Sequence, residues 1–191
     1  MRIRCLMTAL AASLCALPAS AADTYAIDPD HSFPFFEVGH AGFSLFRGRF
    51  GKMQGKVSLD QAAKAGAIDV EIDATSIDTG LARRDAELKN ERWFNTAKYP
   101  TLTYKSNAIR FDGDKVVAAD GELTIAGVTK PVTLTVENFR CGASPFNPNL
   151  QMCGASANAT IKRSDFGLKA SLNSVADEVK ILVSLEARKE Q

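Results

Sequence analysis

Residues 68–73 read Ile68-Asp69-Val70-Glu71-Ile72-Asp73, three β-branched apolar residues alternating with three acids. Alternation of period two puts one set on a buried face and the other in water, the signature of a half-buried strand. The same period recurs in Leu123-Thr124-Ile125, in Val132-Thr133-Leu134-Thr135-Val136 and in Val179-Lys180-Ile181. Turn signals at Gly48, Gly51, Gly55, Asp112-Gly113-Asp114 and Asn147-Pro148-Asn149 divide the chain between them. The expected strands are 24–28, 33–40, 45–51, 53–60, 67–74, 100–111, 115–126, 131–141, 152–163 and 178–188, merging into about eight or nine antiparallel strands. One segment departs from this period: Asp78 or Thr79 can cap a helix over 80–92, with Leu81, Arg84 and Leu88 on one face. A mainly β chain with one helix must bury its apolar face. A closed antiparallel barrel does so and removes its edges, and a two-sheet sandwich is the alternative.

The first residues read as an export leader. Arg2 and Arg4 precede an apolar run from Leu6 to Leu17, and Ala19-Ser20-Ala21 supplies the small-x-small cleavage pattern. Cleavage after Ala21 leaves 22–191 as a single domain in the periplasm. Cys5 and Cys15 depart with the leader, so Cys141 and Cys153 remain in an oxidising compartment, where a disulfide is expected. A two-cysteine redox or metal site is the competing reading, without CxxC spacing or a nearby histidine to support it.

Composition narrows the function. The chain of 191 residues has 23 basic and 22 acidic side chains, so it lacks the positive excess that phosphate-backbone binding requires. Nucleic acid is not an expected partner. There is no GxSxG elbow, Walker loop, GxGxxG fingerprint or histidine-metal motif, and neither enzyme, metal site nor cofactor is expected. The 11 phenylalanines crowd towards the start, at Phe33, Phe35, Phe36, Phe43, Phe46 and Phe50. They build either a solid aromatic core or the wall of a lipid cavity.

These residues also carry a resemblance. Ile27-Asp28, His31-Ser32, Phe36-x-Val38-x-His40, Ser44 and Gly48-x-Phe50 resemble the opening of the YceI-like, polyisoprenoid-binding periplasmic proteins. Thr79-Gly80, Arg84-Asp85, Leu88, Phe94 and Tyr99-Pro100 continue the pattern. So do Gly121-x-Leu123-Thr124-Ile125-x-Gly127-Val128-Thr129-Lys130-Pro131-Val132, Arg163-Ser164-Asp165-Phe166-Gly167 and Asp177-Glu178-Val179. Glu87 and Trp93-Phe94-Asn95 depart from the family's usual residues. The resemblance implies a lipocalin-like barrel with an apolar tunnel, often dimeric, that takes an isoprenoid, an isoprenoid quinone or another long-chain lipid, with transient membrane contact possible. An interaction or stress-response module acting through its surface, or an enzyme on a hydrophobic substrate, is the alternative.

On that reading the ligand-binding residues are Phe36, Val38, His40, Phe43, Phe50, Ile68, Val70, Ile72, Arg84, Leu88, Trp93, Phe94, Leu102, Tyr104, Leu123, Ile125 and Phe166. His40 serves a structural hydrogen bond or a headgroup. Arg84 pairs with Asp85 or with a ligand oxygen. His31 belongs to a local turn network with Asp28, and Arg47 and Arg49 are solvated or stand at the rim.

Overall fold

The computed structural model describes residues 22–190, so the expected leader lies outside the described residues. Along the chain run β1 (Asp23–Ile27), β2 (Phe33–His40), β3 (Ser44–Phe50), β4 (Met53–Asp60), β5 (Ala65–Asp73) and β6 (Ile77–Asp78). Helix α1 (Ala82–Lys89) precedes β7 (Thr101–Asp112), β8 (Lys115–Ile125), β9 (Val128–Ala143), β10 (Gln151–Lys162) and β11 (Val175–Lys189). All pairings are antiparallel, and the order β1-β4-β5-β7-β8-β9-β10-β11 closes because β11 also pairs with β1. This is the expected eight-stranded barrel, and closure rules out the sandwich.

The two ends of the barrel differ. β1 covers only the last residues of β11, Ala187–Lys189, while β2 takes the stretch Val175–Ser184 on the same edge. β3 and the two-residue β6 then add to β2. The barrel is therefore tight where β1 closes it and flared where β2, β3 and β6 branch away, with α1 packed on β6. A second opening lies between β9 and β10, which pair only from Thr135 and Asn158 towards their shared turn. Pro131 stands in the part of β9 with a single neighbour, where a strand tolerates a missing N–H. A 3₁₀ turn at Arg163–Phe166 sets Phe166, 2% exposed, against this split seam.

The alternation in β5 is realised: Val70 and Ile72 are buried while Asp69 and Glu71 are exposed. One apolar cluster joins Phe50, Met53, Val70, Ile72, Leu102, Leu123 and Phe166, and a smaller one at the tight end joins Tyr25, Leu59, Val116, Cys153 and Ala187. Cys141 and Cys153 face each other across β9 and β10 and are joined as a disulfide, as expected.

Three local expectations are corrected. The helix covers Ala82–Lys89 rather than 80–92, and neither Asp78 nor Thr79 caps it. The Asp78 carboxylate accepts instead from the Gly80 N–H, and Thr79 is bonded to Asp85. Extended Leu81 takes the N-cap position and is 40% exposed, so it leaves the buried face on which Leu88 sits. At the other end the Asn90 carboxamide accepts the Arg92 N–H and stops the helix.

The second correction concerns Gly48 and Gly55, which lie inside β3 and β4 rather than in turns. A Cβ at Gly48 would come within 2.4 Å of the Phe36 ring, and one at Gly55, φ +143°, within 2.1 Å of the Asp69 carbonyl. Both glycines serve close approach. Third, β6 was not expected, and β9 and β11 begin three residues earlier than the alternation indicated.

Candidate functional site

The flared end opens into an interior cavity of about 270 Å³. Of the expected ligand residues, Phe36, Val38, His40, Phe50, Ile72, Arg84, Leu88, Trp93, Phe94, Leu102, Leu123 and Ile125 line it together. Ile68, Val70 and Tyr104 line a separate apolar chamber of about 100 Å³. The two chambers stack along the barrel, because one two-residue step along a strand leads from one to the other. Ile72 steps to Val70, Leu102 to Tyr104 and Ile181 to Val183. Tyr104 is tied to the wall through its hydroxyl, which donates to the Ala119 carbonyl at 2.8 Å and lies 3.0 Å from that of Val132. Burial pushes this phenol up to about 12.

Polar groups gather at the mouth. The His40 ring stacks on Phe46 at 4.3 Å, and the Arg84 guanidinium lies 4.5 Å from the centroid of the same ring. Arg84 donates from Nε to the Thr79 hydroxyl at 2.8 Å and from Nη2 to the Thr79 carbonyl at 2.7 Å. That hydroxyl in turn donates to Asp85. Thr79 thus stands between the two charges, in place of the expected Arg84–Asp85 ion pair. The Trp93 indole N–H donates to Glu87 at 3.3 Å, and Arg47 pairs with Glu37 at 2.5 Å.

Arg163 also lines the cavity and is 4% exposed. Its Nε, Nη1 and Nη2 donate to the carbonyls of Ala176, Leu168 and Val175 at 2.9, 2.6 and 2.8 Å, and its guanidinium lies 5.3 Å from the Trp93 ring centroid. Burial lowers its pKa, against the opposing effect of Asp177. With Phe46, Thr79 and Leu168, Arg163 is a lining residue that the sequence reading missed. Phe46 was visible in the phenylalanine-rich stretch. Nothing in an arginine at a strand end signals that three backbone carbonyls will enclose it.

These features join a wholly apolar barrel interior to a polar, cation-bearing rim. The model of the YceI-like domain matches residues 25–187. The chain belongs to the YceI-like family. Within that family it is 37% identical to the protein YceI of Escherichia coli O157:H7 over 171 residues, covering 88% of this chain and 87% of that one. It is 36% identical, over the same shares, to a UPF0312 protein of Pseudomonas aeruginosa (strain LESB58). Among solved structures it is similar to BcnA of Burkholderia cenocepacia, with TM-score 0.67, 28% identity, and coverage of 84% of this chain and 99% of that one. A polyisoprenoid binding domain from Saccharophagus degradans, implicated in plant cell wall breakdown, shares the fold with TM-score 0.64 at 21% identity, covering 87% and 98% of the two chains.

Two expected residues lie outside both chambers of this YceI-like barrel. Phe43 is 92% exposed at the tip of the β2–β3 hairpin, where Ala41 at φ 51° and Gly42 at φ 74° turn the chain. Phe166 lines neither chamber and sits beneath the seam between β9 and β10, packed into the main apolar cluster. His40 meets Phe46 by stacking, with no hydrogen bond to its ring among the described residues. His31 does join a turn network, with Nδ1 2.9 Å from an Asp28 oxygen, while the Asp30 N–H donates to Asp28. Glu186 brings a third candidate metal-ligand atom, all three lying within 4.8 Å of one another. Arg188 already supplies a cation to the same Asp28 oxygen that His31 meets, so the geometry is that of an ion-pair network.

Proposed function

We propose that this YceI-like protein is a periplasmic carrier that holds an isoprenoid, an isoprenoid quinone or another long-chain amphiphile in its barrel, without acting as an enzyme. The observation that carries the reading is the division of the cavity, with aliphatic and aromatic walls inside and Arg84, Thr79, Arg163 and Glu87 at one end. Such walls favour an extended chain at about 0.8 kcal/mol per buried methylene and leave selectivity to the few polar groups. The Saccharophagus degradans domain, which shares the fold and is described as polyisoprenoid binding, is consistent with this reading. The leader pattern and the Cys141–Cys153 disulfide support an exported protein, and no described helix is long and apolar enough to cross a membrane. Exposed Phe43, on the hairpin that forms part of the mouth, would touch the donor membrane transiently.

Organic extraction of the purified protein, followed by mass spectrometry, tests this. A long-chain lipid in about one-to-one amount is expected. Protein that carries no lipid, and takes none up from vesicles of bacterial lipid extract, would overturn the reading.

A further inference from the structure

The charges around the cavity do not balance. Arg47, Arg84, Arg163 and Glu87 all line it, and Arg47 is already paired with Glu37. Among the described residues no carboxylate forms an ion pair with Arg84 or Arg163. The nearest carboxylates act only at one remove: Asp85 meets Arg84 through the Thr79 hydroxyl, and Asp177, which accepts the N–H and hydroxyl of Ser164, attracts Arg163 without an ion-pair contact. Glu87 accepts the Trp93 N–H. The acceptors that Arg84 and Arg163 do have are carbonyls and a hydroxyl, which satisfy N–H groups without cancelling charge.

A guanidinium carries five N–H donors. Three on Arg163 are used, so two remain on a side chain that is almost wholly out of water and borders an apolar space. A buried cation with no anion in contact is unfavourable, and an anion placed beside it relieves both the charge and the open donors. A neutral alcohol or carbonyl headgroup can fill a donor but leaves the charge. Guanidinium forks match carboxylate and phosphate oxygens in particular.

From this imbalance we infer that the cavity selects amphiphiles whose polar end is an oxyanion, a carboxylate or a phosphate, over neutral amphiphiles of the same chain length, with Arg84 and Arg163 as the anion-binding residues. The inference rests on the carrier reading and narrows its ligand class.

Trp93, the one tryptophan in the chain, lines the cavity and reports occupancy by its own fluorescence. Lipid-stripped protein is titrated with dodecanoate, dodecyl phosphate and 1-dodecanol, each below its micelle or solubility limit. Either anion should bind at least about tenfold more tightly than the alcohol, the value of one charge-assisted hydrogen bond. Comparing the two anions distinguishes a carboxylate ligand from a phosphate one. Arg84→Gln should weaken both anions by more than it weakens the alcohol, so that most of the preference is lost. Arg163→Lys keeps a charge but loses the fork, and should weaken the anions selectively if it folds; the Arg84 variant decides the matter if it does not. Equal affinity for all three probes would overturn the oxyanion inference and leave the carrier reading standing. If no probe binds and extraction finds no lipid, the carrier reading itself fails.

Discussion

Arg84 holds Thr79 at two points, through the carbonyl at 2.7 Å and the hydroxyl at 2.8 Å, and so ties helix α1 to the chain leaving β6. The same hydroxyl donates to Asp85, making one oxygen the junction between a cation and an anion.

Thr79→Val keeps the shape and the carbonyl contact but removes that junction. It should destabilise the protein by about 1–3 kcal/mol, since a charged donor and a charged acceptor each lose a partner. Urea unfolding measures this. A variant as stable as the parent would show that water replaces the hydroxyl without loss.

Phe166→Ala should destabilise by about 3–5 kcal/mol, because the ring fills the place where β9 and β10 have parted and no neighbouring strand can close over it. Leu123→Ala faces space that is already open, so less new cavity is created. Its effect should fall mainly on lipid occupancy. Chemical denaturation and extraction of both variants compare the two residues directly, and equal losses of stability would indicate a solid core at Leu123.

The disulfide joins residues 12 apart in sequence, and on the chain-entropy model such a link contributes about 3 kcal/mol. The Cys141→Ala/Cys153→Ala pair should lower stability by about that amount. Cys153 lines the inner chamber and neither cysteine lines the larger cavity at the mouth, so discrimination between headgroups should survive. Thiol labelling of the denatured, unreduced protein prepared without residues 1–21 should find no reactive cysteine.

His31 supplies a pH dependence. Its hydrogen bond to Asp28 raises its pKa above the usual 6.5. Stability from that contact is therefore complete below about pH 6.5 and lost as pH rises through the higher folded value. Asp28 moves the other way. Burial opposes its ionisation, but bonds from His31, the Asp30 N–H and Arg188 outweigh burial and lower its pKa, so its contribution is lost only in acid below the usual 3.8. Melting temperature should fall between pH 6 and pH 8, and His31→Asn should flatten that slope. A slope unchanged in the variant would place the titrating group elsewhere.

Strand alternation made the barrel wall legible. Val70 and Ile72, or Phe36 and Val38, need only period two to be placed on the inner face. The disulfide was legible too, since the expected leader accounts for Cys5 and Cys15 and leaves Cys141 and Cys153 as the remaining pair. Phe43 was misplaced because two residues of positive φ at Ala41 and Gly42 reset the phase between β2 and β3. Thr79 and Arg163 were hidden for another reason. Each is defined by its contacts, one with α1 and the other with three carbonyls from the segment Leu168–Ala176, and no local pattern encodes those partners.

Closure of the barrel by its first and last strands governs when the binding site can exist. Ile27 pairs with Ala187, and the Glu190 N–H reaches the Thr24 carbonyl at 2.8 Å. Before β11 is present, β1 has only β4 beside it and β2 only β3, so the barrel stays open along one whole side. Contacts so distant in sequence make formation of the barrel slow. Meanwhile the alternating apolar strands have unpaired edges that invite association with other chains. On the proposed carrier reading, lipid can be held only after the last strand has been made and docked. The adjacency of Thr24 and Glu190 also makes a circular permutant feasible: a short linker between the ends, with new termini in the Asn147–Asn149 turn, would bring β11 out before β8 and change the order of assembly while preserving the cavity.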